Sequence, residues 1–464
     1  MPQIALSYGA NERLRFPPLA ALNVIAEPNP TVAKLAILGR PTLSAFTTAG
    51  TGPIRGVFQK SGMFGDAAVV VSGQLAYLVA ENGVVTTCTG AIPGFGLVDL
   101  DGAVNTSGVT SVDEVRIATG SELLLLTGTT VAAEAFPDDA GVTSIMALRG
   151  FWIAVRADSQ IGYIKIPGGS WQALDAVSAE KQPDALIAAW PLGDLTIFLG
   201  AASLEGWQFT GEASPPIAPV PGQTFDNVGL LSVNAVTSNA SALYFVGSDF
   251  AVYEYSTYPK VISDFALTQA IRNTDASLIR MGTLTLDQHN YIVVRLANDA
   301  TWVFDLATRI WSPWASKSLA YFRPHLFSQI GGRALAYDSS LGTIWTLRPD
   351  GLSDGDDEVI RRFTGFVPLQ SGVGYADSIS LDVEVGVGLV TGQGSDPQIG
   401  LSISTDGGRT WEPPVWEPLG RMGETETRVI WRRLGQFDAP GLMLMWELSD
   451  PVALRVSAAW LNEH

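Results

Sequence analysis

Between residues 53 and 360 the chain returns about seven times to one theme, at a period of roughly 40–45 residues. Each unit has an apolar strand, a Gly or Asp turn, a second strand carrying an aromatic, and then a third. Examples are AAVVVSGQLAYLVAENGVVTT (67–87), SIMALRGFWIAVRADSQIGYIKI (144–166) and NYIVVRLANDATWVFDLATRIWSPW (290–314). A unit this short cannot bury its apolar face alone, so the units must stack on one another. The period suits four short strands, the size of one blade, and predicts a β-propeller of about seven blades. No Trp-Asp or kelch signature recurs, and two stacked sandwiches are the alternative.

The flanks read differently. Residues 1–52 form an extended N-terminal arm, because Pro17, Pro18, Pro28, Pro30 and Pro41 interrupt short apolar stretches and deny ladder hydrogen bonds. The propeller is assigned to 53–349. In 350–362 Gly, Ser and the acids Asp350, Asp354, Asp356, Asp357 and Glu358 predict a solvated linker, since such a composition builds no core. Alternating strands such as SISLDVEVGVGLV then predict a C-terminal β-sandwich over 363–464. The fold class is all-β throughout. With 48 Gly, 27 Pro and 16% charged residues, the composition agrees with many short strands and tight turns.

No cofactor or catalytic site stands out. The single cysteine, Cys88, excludes an intramolecular disulfide, and His289, His325 and His464 lie far apart. His289 is expected in a hairpin turn and His325 in a loop beside Pro324. The linker acids miss the order of a Ca²⁺-binding loop. No nucleophile elbow is read, and no run is long and apolar enough for a membrane span. Net charge is −18, the opposite of what a protein needs to grip phosphates.

Two C-terminal features carry candidate roles. Ser404, Asp406, Gly408 and Trp411 fit the Asp-box pattern S/T-x-D-x-G-x-x-W. In it the aspartate accepts turn amides, the glycines take left-handed positions and the tryptophan buries under the hairpin. This is a hairpin-folding device. Arg428, Arg432 and Arg433 are a candidate subunit or partner interface. Strand alternation puts Arg428 and Arg432 on one face with Ile430 and turns Arg433 to the other. Salt bridges to Glu424 or Glu426 are the alternative.

The order of these elements resembles a known family. STDGGRTW, then Trp431-Arg432-Arg433-Leu434-Gly435, a long apolar strand, the turn Ser449-Asp450-Pro451-Val452 and a last strand resemble the C-terminal domain of the packaged-DNA stabilisation (tail hub, or nozzle) proteins of short-tailed bacteriophages. An Asn-x-x-Ala-x-Pro stretch and Arg40-Pro41-Thr42-Leu43 near the start are similar to that family too. So are Asp184, Leu195, Phe198, Glu205, Thr210 and Gly211 in the fourth unit. Residues 90–110 show no match.

The resemblance implies a non-enzymatic structural protein of the virion, assembled in the host cytoplasm. Copies, six by the resemblance, form a ring below the portal and its adaptor. That ring contacts a tail needle or plug and fibre or spike proteins, and DNA passes through it without specific binding. A glycan-binding or glycan-cleaving, sialidase-like propeller with an accessory sandwich is the rival.

Overall fold

A computed structural model describes all residues except 1–2, 7–19, 29–34, 108–109, 138–139, 180–182, 213–215 and 463–464. Pro17, Pro18, Pro30 and His464 therefore lie outside the described residues. Seven four-stranded antiparallel sheets form among the described residues, and each is one blade. The first blade runs Ile54–Phe58, Ala68–Ser72, Leu75–Val79 and Val85–Thr87 in chain order. The first strands of successive blades meet at the centre, and the strand at Pro324–Ile330 meets Ile54–Phe58 to close the ring. Two stacked sandwiches are ruled out for this stretch.

The blades follow from local rules. Tight turns carry residues in the left-handed region, as at Asp287 and Gln288 (φ 50° and 67°), whose twist suits a two-residue hairpin. His289 therefore begins the strand His289–Leu296 and does not occupy the turn itself. Its Nδ1 lies 2.9 Å from Asp305 and its Nε2 2.9 Å from Glu27. His325 is likewise not in a loop. It sits at the bulge of the central strand Pro324–Ile330 and is buried. Its Nε2 donates to the Ile54 carbonyl at 2.8 Å, and its Nδ1 accepts from Arg280. Three neighbouring central strands thus meet at one imidazole. Burial, then the charges of Arg280 and Arg295, push its pKa well below the usual value, so the ring is neutral.

The last blade is completed from the other end of the chain. Its fourth strand is Thr42–Thr48, paired antiparallel with Thr343–Arg348. The boundary read at residue 52 thus cuts through this blade, because the apolar repeat signals the three strands at 324–348 but not a partner some 300 residues earlier.

The sandwich borrows from the same arm. One sheet runs Ala5–Leu6, Arg361–Pro368, Gly441–Leu448, Gln398–Ser404 and Val415–Pro418, with Ala21–Leu22 also on Arg361–Pro368. The other runs Val24–Pro28, Leu35–Gly39, Arg455–Leu461, Val373–Val383 and Val429–Asp438. Phe363 and Trp446 stack at 5.2 Å between the sheets, beside the buried Trp431 and Leu444.

Between the two bodies the acidic stretch is not a solvated linker at Asp354. That residue is buried against Arg40, which itself is 1% exposed. All five Arg40 donors are used. Nε reaches Asn23 at 2.8 Å, Nη1 reaches Pro41 O and Asp354, and Nη2 reaches Ala315 O and Asp354 at 3.0 and 2.6 Å. Asn23 adds bonds to Ile360 O, just before the sandwich strand Arg361–Pro368, and to Ala315 N in the propeller, both at 2.8 Å. A buried carboxylate persists only when paired and hydrogen-bonded, and Arg40 supplies both conditions. Gly39 is required here, since a Cβ would sit 2.7 Å from Arg361 Nε.

Candidate functional site: an arginine-bearing sheet edge

Among the described residues the strand Val429–Asp438 is the last in its sheet and pairs on one side only, with Val373–Val383. Val429 and Trp431 point inward and are buried, so Arg428, Ile430 and Arg432 share the outer face. Arg433 departs from simple alternation. The pairing jumps from Ser378–Arg432 to Ala376–Gly435, so Arg433 and Leu434 form a bulge opposite Asp377. With φ at 62°, Arg433 turns out of the core position that alternation assigns to it. All three arginines are exposed.

None of the three makes an ion pair or side-chain hydrogen bond among the described residues. The alternative salt bridges do not form, because the Glu424 carboxylate is turned to the Arg421 amide at 2.9 Å. Elsewhere on the surface Arg149, Arg309, Arg362, Arg421 and Arg455 each reach a carboxylate of this chain. On a chain with 46 acids and 28 Lys and Arg, three adjacent unpaired arginines are conspicuous.

A second sheet edge lies alongside. Val415–Pro418 ends the other sheet, and Trp431 Nε1 donates to Val415 O at 2.7 Å across the gap. The edges form no ladder with each other. A cleft of about 470 Å³ opens between them, floored by Leu401, Ile403 and Trp431. Arg432 and Arg433 form one rim, and Glu412 and Glu417 the other.

The Asp-box residues form the turn that leads into this second edge. Asp406 accepts from the amides of Arg409 and Thr410, both at 3.0 Å, and from the Ser404 and Thr410 hydroxyls. Gly407 and Gly408 take φ values of 81° and 84°. Those bonds hold the Asp406 pKa well below the carboxylate range. Trp411 is not buried under the hairpin but half-exposed. Glu412 N donates to Ile403 O at 2.9 Å, after which Pro413 and Pro414 cannot donate and the ladder proper begins at Val415. Trp431 fills the core instead.

Nothing catalytic is assembled among these groups. Contrary to the expectation of no nucleophile elbow, Gly351-Leu352-Ser353-Asp354-Gly355 has the G-x-S-x-G spacing. Ser353 Oγ there donates to Gly355 O at 2.8 Å, and Asp354 is bound to Arg40. No metal-binding cluster of His, Cys, Asp and Glu occurs among the described residues, and no helix there is long and apolar enough to cross a membrane.

The sequence does not link the junction residues Asn23, Arg40 and Asp354 to one another, and Asp354 is expected only as part of a solvated linker. Only the Asn-x-x-Ala-x-Pro and Arg-Pro-Thr-Leu stretches signal two of them. In the fourth blade, Asp184 accepts the amides of Ala202 and Ser203, and the buried Glu205 accepts from Trp207 Nε1 at 3.1 Å.

No curated protein matches the chain. Among solved structures, virginiamycin B lyase from Staphylococcus aureus is similar over 67% of this chain and 99% of its own, at 11% identity and a TM-score of 0.45. The extracellular domain of BT4673 from B. thetaiotaomicron is similar over 83% of this chain and 48% of its own, at 11% identity and a TM-score of 0.44. Family models match in two consecutive pieces. Residues 2–350 match "Bacteriophage P22 Gp10, beta-propeller", and residues 359–457 match "Bacteriophage P22 Gp10, beta-sandwich". With both domains matched in order, the chain belongs to the bacteriophage P22 Gp10 family, structural proteins that stabilise packaged DNA.

Proposed function

We propose that the protein is a ring-forming hub of a short phage tail. Copies sit below the portal and adaptor, extend the DNA channel, help retain the packaged genome and take part in its ejection, without enzymatic activity. The observation that carries this reading is the match of both domains, in order, to one phage structural family. Rigid four-stranded blades with few free edges suit a load-bearing ring component. Retention is then steric, with a further plug or needle closing the channel, because a chain of net charge −18 has little means of holding phosphates.

Purified protein mixed with its own portal–adaptor complex should incorporate stoichiometrically, as read by light scattering. A complex that stays at its starting mass at saturating protein would overturn the hub assignment. A monomer in the absence of that template would not, since such rings can require it.

A further inference from the structure

We propose that the arginine-bearing edge of the sandwich binds an extended, carboxylate-bearing segment of a different protein, by strand addition into the cleft between the two sheet edges. The proposal rests on the reading of this chain as a component of a phage particle. Three observations carry it.

The first is the open ladder. Val429–Arg432 runs straight before the bulge, and its outer side has no backbone partner among the described residues. Such an edge accepts an incoming strand through main-chain hydrogen bonds, with pockets for alternate side chains adding specificity.

The second is the cleft itself, about 470 Å³ beside that edge, with an apolar floor of Leu401, Ile403 and Trp431. One apolar side chain of an added strand would lie on this floor. Val415, 52% exposed at its margin, would be covered.

The third is charge. Arg428, Arg432 and Arg433 are exposed and unpaired, whereas the neighbouring Arg421 and Arg455 are matched internally. Pairing this edge with the same edge of a second copy would set arginine against arginine, which is destabilising. The outermost blade strands of this chain do not supply an acidic strand either. The outermost blade strands read VTT, TVAA, AVS, IAPVPGQTFD, PKV, IWSP and TLSAFTT, with at most one acid each. The occupant is therefore another polypeptide, with carboxylates facing Arg432 and Arg433 and none facing Glu412 and Glu417 on the opposite rim.

Photocrosslinking in assembled particles tests this. Val415 is replaced by p-benzoylphenylalanine, with the exposed Glu412 as a second placement on the same rim. After irradiation and digestion, the adduct should join this chain to a different virion polypeptide at an acidic, extended segment. Combining Arg432→Ala and Arg433→Ala should cut its yield at least about tenfold. The isolated protein should keep its Tm within about 2 °C, since unpaired exposed side chains contribute little to stability.

An adduct between two copies overturns the proposal. So does an adduct that survives both substitutions, or particles containing the protein but giving no adduct from either placement. Particles lacking the chain altogether sink the tail reading, and this inference with it.

Discussion

Arg40 and His325 show how single side chains hold this fold at points where distant parts of the chain meet. Arg40 neutralises the buried Asp354 and joins Asn23, Pro41 and Ala315. Arg40→Ala leaves a buried carboxylate without its partner and should cost roughly 3–5 kcal/mol in a denaturant titration. Removing both charges, as in Arg40→Met with Asp354→Leu, should restore much of that loss, because the penalty lies in the uncompensated charge. If the double variant is as unstable as the single, the hydrogen bonds to Asn23 and Ala315 matter more than the charge.

His325 makes a different prediction. Its folded pKa is depressed, so the unfolded chain binds the extra proton. The stability it contributes is complete above its unfolded value near 6.5 and is lost as pH falls below that. Asp101 has the opposite slope. Burial raises its pKa to about 6, so its contribution favours the fold at low pH and is lost as pH rises through that value. The two partly cancel in the native chain. The difference in Tm between wild type and His325→Gln, followed from about pH 7.5 to about pH 5, should isolate the histidine. A difference independent of pH would show that His325 does not titrate on unfolding.

Strands borrowed from the N-terminal arm decide whether either body is complete. Thr42–Thr48 is the fourth strand of the last blade, while Ala21–Leu22, Val24–Pro28 and Leu35–Gly39 belong to the sandwich. Val24 and Ile37 are wholly buried, so losing their strands opens the sandwich core. A chain beginning at residue 53 should give no cooperative melt by circular dichroism. One beginning at residue 20 keeps all four of these strands and should melt close to the full-length protein. Equal melting of the two would mean that the arm strands are accessory. The free edge at Val429–Asp438 belongs to the same level of organisation. Its bulge sets Arg433 outside and prevents one continuous flat edge.

For the whole molecule, charge and architecture give a prediction about DNA. Three adjacent exposed arginines without an ion pair, Arg428, Arg432 and Arg433, sit on the sandwich edge within a chain of net charge −18. Duplex binding by the isolated protein should be absent near physiological ionic strength. A steep loss of affinity with rising salt would instead reveal a basic face suited to phosphates.

The all-β class, the repeated blades and a separate C-terminal sandwich were all legible in the sequence. They arise from local apolar periodicity, turn chemistry and composition, which need no knowledge of distant neighbours. The Asp406 turn was legible for the same reason, as its bonds span only a few residues. The half-exposed place of Trp411 was not legible, because the core under the hairpin is filled by Trp431 from a distant strand. The face taken by Arg433 was not legible, because a bulge shifts the register of the strand end. Closure of the last blade by Thr42–Thr48, the Arg40–Asp354 contact and the cleft beside Arg432 belong to the tertiary structure alone. Each joins segments whose sequences carry no mark of one another, and only three-dimensional packing selects the partner.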